Sequence, residues 1–186
     1  MNSYAKKKFL PMIRELKWTD MHDLIDNYYG YYDELEDDPD IGLAFYRIKP
    51  EYRNEVEWFA SLYEEVISGN AVAVVAEEDG RAVGLCDIHR IRPNSELDHV
   101  GTLGIAIIRQ YRNRGIGKEL IRKALELSRG KFEIVKLEVF AVNSRAISVY
   151  RKAGFKEYGI FPDSLRRGER YYDQILMYYR LDGETG

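Results

Sequence analysis

The stretch Leu103–Gly117, LGIAIIRQYRNRGIG, decides the fold. An apolar, strand-like run ends in Arg112-Asn113-Arg114-Gly115-Ile116-Gly117, and Ile116, Leu120, Ala124 and Leu127 then recur at helical spacing. A helix N-terminus leaves backbone N–H groups unpaired and carries partial positive charge. Gly115 and Gly117 let that backbone approach a ligand closely, and Arg112 and Arg114 add charge. The spacing predicts an anion cradle over Arg112–Lys118 at the mouth of a helix over residues 115–129. The alternative reading is a tight turn at a helix start.

Rival phosphate loops fit worse. A Walker A loop needs Gly where Arg112 stands, and Ser or Thr where Glu119 stands; a dinucleotide fingerprint needs a third Gly at Leu120.

Working outward, Ala71–Glu77 and Ala82–Ile91 read as strands joined across Asp79-Gly80, a strong hairpin signal. Strands are predicted at Met12–Lys17, Leu97–Ile107, Ile134–Val142, Phe155–Phe161 and Arg170–Leu181, with a polar loop over Pro162–Glu169. Helices are predicted from Thr19-Asp20 to about Tyr32, where the acidic run Asp33–Asp40 ends the first, and over Glu51–Ser68 and Ser144–Ala153. The order βααβββαβαββ implies an α/β fold, a mixed sheet of about seven strands covered by helices on both faces.

The chain of 186 residues predicts a single domain over residues 1–186. Its apolar fraction of 45% places it among globular proteins. The net charge of −3 argues against a nucleic-acid partner. No apolar run reaches a membrane span of roughly 20 residues, and the N-terminus lacks a signal peptide's apolar stretch. One cysteine, Cys86, excludes an internal disulfide and suits the cytoplasm. Three histidines and that cysteine, none closely spaced, offer no metal site.

Beyond the cradle come Asn143, Ala146 and Tyr150, then Gly154-Phe155. Arg112, Gly115 and Gly117 match the motif of Arg or Gln, two residues, Gly, one residue, Gly or Ala. Together these segments resemble the GNAT family of acetyl-CoA-dependent N-acetyltransferases. The C-terminal stretch, with Gly159, Gly168, Tyr171, Asp173 and Met177, is similar to its branches that acetylate ribosomal proteins and amino acids.

The resemblance implies a GNAT fold with a strand splayed near Ile105, Ala106 and Ile107, whose backbone meets the cofactor's pantetheine. It implies that Arg112, Asn113, Arg114, Gly115, Ile116, Gly117 and Lys118 hold the pyrophosphate, and that Asn143 and Ala146 meet the cofactor arm. Asn143 reads equally as a helix cap. Tyr150 is implied as the acid that protonates the leaving thiolate; with fifteen tyrosines in the chain, its place relative to Asn143 and Gly154 singles it out. A backbone N–H at Ala106 or Ile107 would face the oxyanion.

Relatives carry a Glu where Thr102 stands, so the base is open. His99 titrates in the right range, with Asp87, Glu96 and Asp98 as other candidates. Cys86, inside an apolar strand, reads as buried structure rather than as a nucleophile. Tyr31, Tyr32, Glu34 and Asp173 are candidate acceptor contacts; aromatics beside carboxylates would suit a cationic amine. Against this stands a solvated loop beside a helix whose tyrosines face the core. The expected activity is direct acetyl transfer to a primary amine of a protein, amino acid or polyamine, by a homodimer without metal. The alternative is a non-catalytic acyl-CoA-binding module.

Overall fold

A computed structural model describes residues 10–181. The N-terminal residues 1–9, part of the segment read above for a signal peptide, lie outside them. The elements are β1 (Met12–Glu15), α1 (Met21–Asp37), α2 (Tyr52–Ile67), β2 (Ala71–Glu78), β3 (Arg81–Arg90), β4 (Val100–Ile107), α3 (Ile116–Ser128), β5 (Ile134–Phe140), α4 (Ser144–Lys152), β6 (Lys156–Arg167) and β7 (Arg170–Arg180). The order matches the sequence reading. Seven strands form one sheet in the order β1-β2-β3-β4-β5-β7-β6. Among the described strands only β4 and β5 pair in parallel.

Strand alternation sorts the core onto two faces. Val74, Cys86, Ile88 and Leu103 pack with Leu120, Ile121 and Ala124 of α3 and Ile147 and Tyr150 of α4. Ala73, Val75 and Leu85 pack on the other face with Leu24 of α1 and Phe59 and Leu62 of α2. The β2–β3 turn is the two-residue Asp79-Gly80, both at positive φ (52° and 78°), as a hairpin turn matched to strand twist requires.

Three boundaries differ from expectation. α1 runs through the acidic run to Asp37, because carboxylates on a solvated helix face do not stop a helix; Pro39 lies just beyond its end. β4 starts at Val100, since residues 96–99 form turns. The loop placed over Pro162–Glu169 is strand, and β6 continues to Arg167 with a break in register between Phe161 and Leu165.

The feature that makes a site is the meeting of β4 with β5. Their pairing covers Val100, Gly101 and Thr102 opposite Ile134, Val135 and Lys136, and then stops. From Leu103 onward β4 keeps β3 but has no partner on its other edge. Gly101 sits in the paired part, where an added Cβ would lie 2.6 Å from Cγ2 of the fully buried Ile88. Gly101→Ala is therefore expected to cost about 1–3 kcal/mol by overpacking. A urea titration checks this: the midpoint should fall with an unchanged slope.

Candidate active site

The unpartnered edge of β4 has a definite polarity. The Val100 carbonyl accepts from Ile91 N–H, and Ile108 N–H donates to the Val83 carbonyl, so even-numbered residues turn their backbone groups toward β3. The odd-numbered Leu103, Ile105 and Ile107 therefore turn theirs into the splay. The His99 carbonyl agrees, accepting from Glu133 and Ile134 on the β5 side. This corrects one expectation: Ala106 turns its N–H toward β3, opposite Leu85, and cannot serve as the donor. Ile107 turns its N–H the right way. Its carbonyl already accepts from Arg112 Nε at 2.7 Å, so Ile107 presents the splay with a donor alone.

The loop after β4 positions the cradle. Asn113 and Gly115 both take positive φ (64° and 84°), and Gly115 is the N-cap of α3. No side chain caps that helix. The first-turn N–H groups of Ile116, Gly117 and Lys118 thus lack intrahelical partners and are available to an anion. Gly117 lies against β4, where a Cβ would stand 3.5 Å from Ile107 Cδ1. The arginines are more occupied than the sequence suggested. Arg112 ion-pairs with Glu34 through both terminal nitrogens, and Arg114 lies 3.8 Å from Glu78 and over the Tyr111 ring. The cradle is therefore chiefly backbone.

α4 starts at Asn143, whose Oδ1 accepts from Ala146 N–H at 3.0 Å. The capping alternative describes that oxygen, and the Ala146 N–H is spent on the cap. The amide side of Asn143 faces Gly42 in the α1–α2 loop, where a Cβ would come within 2.1 Å of Nδ2. Tyr150 is 7% exposed and packs edge-on to Phe155 in the core that also holds Ile105 and Ile107. Burial, and then Cys86, push its phenol well above the ordinary value, so it keeps its proton across the neutral range. Cys86 is itself fully buried, and burial pushes its thiol up, against any role as a nucleophile.

The candidate base and acceptor contacts are redistributed. His99 lies in the turn before β4, seven residues from Ala106 and so about 23 Å away along an extended strand. It is not brought to the splay. The histidine near the site is His89 on β3, opposite Thr102. Its Nε2 lies 2.9 Å from Asp87 and its Nδ1 2.5 Å from Glu65. Burial disfavours its charge, but Asp87 and then Glu65 outweigh that and raise its pKa from 6.5 to about 9. Only the i, i+2 spacing of Asp87 and His89 hinted at this; the third partner comes from α2. Asp87 shares the α1–α2 face with Leu85 and stands beside Gly104, where a Cβ would lie 3.3 Å from Oδ2.

Glu34 is 8% exposed and committed to Arg112, and Tyr31 is 5% exposed; among the described residues neither lines a cavity. Asp173 accepts from Asp163 N–H at 2.9 Å and holds the irregular turn of β6. Tyr32 does line a cavity. It has a volume of about 480 Å³, between the 44–49 loop, Phe140 at the end of β5, and the β6–β7 turn. Phe140 lies four residues past the last β4–β5 pair, so the cavity sits at the end of β5, beyond the point where the two strands part. Among the described residues no cluster of three metal-binding side chains occurs, and no helix is long and apolar enough to cross a membrane.

His89 is expected to write itself into stability. A proton held more tightly in the fold than in the unfolded chain stabilises fully below pH 6.5 and is lost as pH rises through about 9. Thermal unfolding from pH 6 to 10 should therefore show a fall in Tm that His89→Gln flattens; parallel curves would refute the assignment.

Residues 18–155 match the profile described as the acetyltransferase (GNAT) family. The N-alpha-acetyltransferase RimI of Mycobacterium tuberculosis is 35% identical over 114 residues, covering 61% of this chain and 65% of that protein. The L-amino acid N-acetyltransferase AaaT of Escherichia coli is 31% identical over 106 residues, 56% of this chain and 65% of that protein. The chain thus spans just under two thirds of these relatives. A ribosomal-protein-alanine N-acetyltransferase from Brucella melitensis has the same fold, with a TM-score of 0.78 at 22% identity over 91% of this chain and 99% of that one. So does a putative acetyltransferase from Salmonella typhimurium solved with acetyl-CoA, with a TM-score of 0.79 at 16% identity over 95% of this chain and 96% of that one. With the splay, the glycine-capped helix and a match over residues 18–155, the chain belongs to the acetyltransferase (GNAT) family.

Proposed function

We propose that the protein is an acetyl-CoA-dependent N-acetyltransferase that transfers acetyl directly to a primary amine. The observation that carries this reading is the splay, which turns the backbone of Leu103, Ile105 and Ile107 toward a gap with no strand in it. An extended amide-bearing arm fits that gap, and the uncapped first turn of α3 fits its pyrophosphate. Acetyl-CoA would supply the activated thioester.

The chain's residues then divide the work. Ile107 N–H donates to the thioester oxygen; a backbone donor placed this way is typically worth about 3–4 kcal/mol. As the amine nitrogen bonds the acetyl carbon and the C–S bond breaks, two proton transfers close the balance. The departing sulfur takes the Tyr150 proton. The amine gives up its own to Asp87, through water, and His89 and Glu65 hold that carboxylate in place. The solvent then returns a proton to Tyr150 and takes the one held by Asp87, which restores both groups. The relatives' names put protein α-amino groups and free amino acids first among acceptors to assay. We place the enzyme in the cytoplasm as one domain over residues 1–186. Exposed Tyr158, Ile160 and Phe161 on the edge strand β6 support reading it as a homodimer.

Calorimetry with acetyl-CoA and a CoA-release assay test this. Acetyl-CoA should bind, and Tyr150→Phe should lower kcat by about a hundredfold or more while leaving that affinity intact. Absence of acetyl-CoA binding would refute the function; an unchanged kcat would remove Tyr150 as the acid. Asp87→Asn should lower kcat by about tenfold or more while leaving acetyl-CoA affinity intact, and an unchanged kcat would exclude Asp87 as the base.

A further inference from the structure

The acidic run looks like the obvious feature to receive an amine, but four of its six carboxylates face cations of this chain. Asp33 lies 3.7 Å from Lys49, Asp37 lies 3.6 Å from Arg109, and Glu34 holds Arg112. Asp40 lies 3.1 Å from Arg170 and accepts from the Tyr172 hydroxyl at 2.9 Å. Asp38 accepts from the backbone N–H of Asp40. What remains at the end of β5 has the opposite sign. The 480 Å³ cavity is lined by Arg47, Lys49, Arg166 and Arg167, and by no carboxylate.

Three of those cations keep their charge uncompensated. Arg167 donates to the carbonyls of Pro39, Ile41 and Leu43, and its guanidinium lies over Phe45 and Phe140, 5.7 and 5.4 Å from the ring centres. Carbonyls satisfy its hydrogens without cancelling its charge. Arg166 Nε donates to the Gly168 carbonyl at 2.9 Å. Arg47, exposed on the loop, makes no ion pair among the described residues. Around these charges the walls are aromatic.

We infer that this cavity takes a primary amine that carries its own carboxylate, an α-amino acid with an apolar or aromatic side chain, and that Arg47 and Arg166 meet that carboxylate. The inference rests on reading the protein as an acetyltransferase. A pocket of this charge repels polyamines. It also disfavours the ammonium form of whatever amine enters, while the acceptor's carboxylate compensates the cost of entry. Charge selection and activation of the nucleophile thus have one source.

The test uses L-phenylalanine, L-phenylalaninamide, phenethylamine, spermidine and the peptide Asp-Ala-Phe-amide as acceptors, on wild type and Arg47→Ala. L-Phenylalanine should show a KM about tenfold or more below its amide. Arg47→Ala should raise the KM for the acid at least tenfold more than that for the amide. Calorimetry of N-acetyl-L-phenylalanine against its amide, in the presence of CoA, reads the same preference without turnover. Equal affinity for acid and amide overturns the inference. So does preference for the acidic peptide, or for spermidine or phenethylamine; those two would point instead to Glu55, the carboxylate lining the neighbouring cavity of about 720 Å³. Acetyl-CoA affinity measured on the same samples separates the two failures. Its loss refutes the acetyltransferase reading, whereas normal affinity without acid preference refutes the carboxylate site alone.

Discussion

The guanidinium of Arg112 is the contact on which the rest depends. It grips Glu34 on α1 with its two terminal nitrogens and the Ile107 carbonyl with its third. The first grip ties the acceptor-side helix to the end of β4. The second withdraws an acceptor from the splay and leaves a donor there. A strand edge normally offers donors and acceptors in equal number. Here one side chain takes up the acceptor of Ile107 and leaves only its donor facing the splay. Buried ion pairs contribute little net stability but are costly to break on one side, so this one reads as a device for geometry.

Charge is arranged on the same logic across the molecule. Four carboxylates of the acidic run, Asp33, Glu34, Asp37 and Asp40, stand against Lys49, Arg112, Arg109 and Arg170 around it. Cations that this run does not reach collect around the cavity beside β5. A single net charge of −3 therefore conceals two regions of opposite purpose. The Asp87–His89–Glu65 chain is a third arrangement, in which two carboxylates from different elements hold one imidazolium on the acceptor-facing side of β3.

The element order and the cradle were legible because both are local. Glycine spacing, apolar periodicity and the Asp79-Gly80 turn each act within a few residues. The splay was expected near Ile105–Ile107 only through resemblance, and the pairing that creates it ends at Thr102. Which backbone groups face the gap depends on strand parity. That is fixed by bonds to β3 and is invisible without register, so the sequence alone leaves Ala106 and Ile107 as equal candidates. In the sequence His99 stands out as an isolated titratable side chain, whereas His89 becomes conspicuous only with Glu65 from α2. Tyr31 and Glu34 lie three residues apart on the buried face of α1, which continues into the acidic run as far as Asp37, and neither position shows its burial in the sequence.

Gly42 has a bearing on how this scaffold can change. Its Cα lies so close to the Asn143 amide that no side chain fits between them, although the residues that follow in the same loop line the 480 Å³ cavity. The loop is pinned at one point and open beyond it. Substitutions at positions 44–49 can reshape that cavity while the cap of α4 stays undisturbed. Position 42 is closed to that exploration.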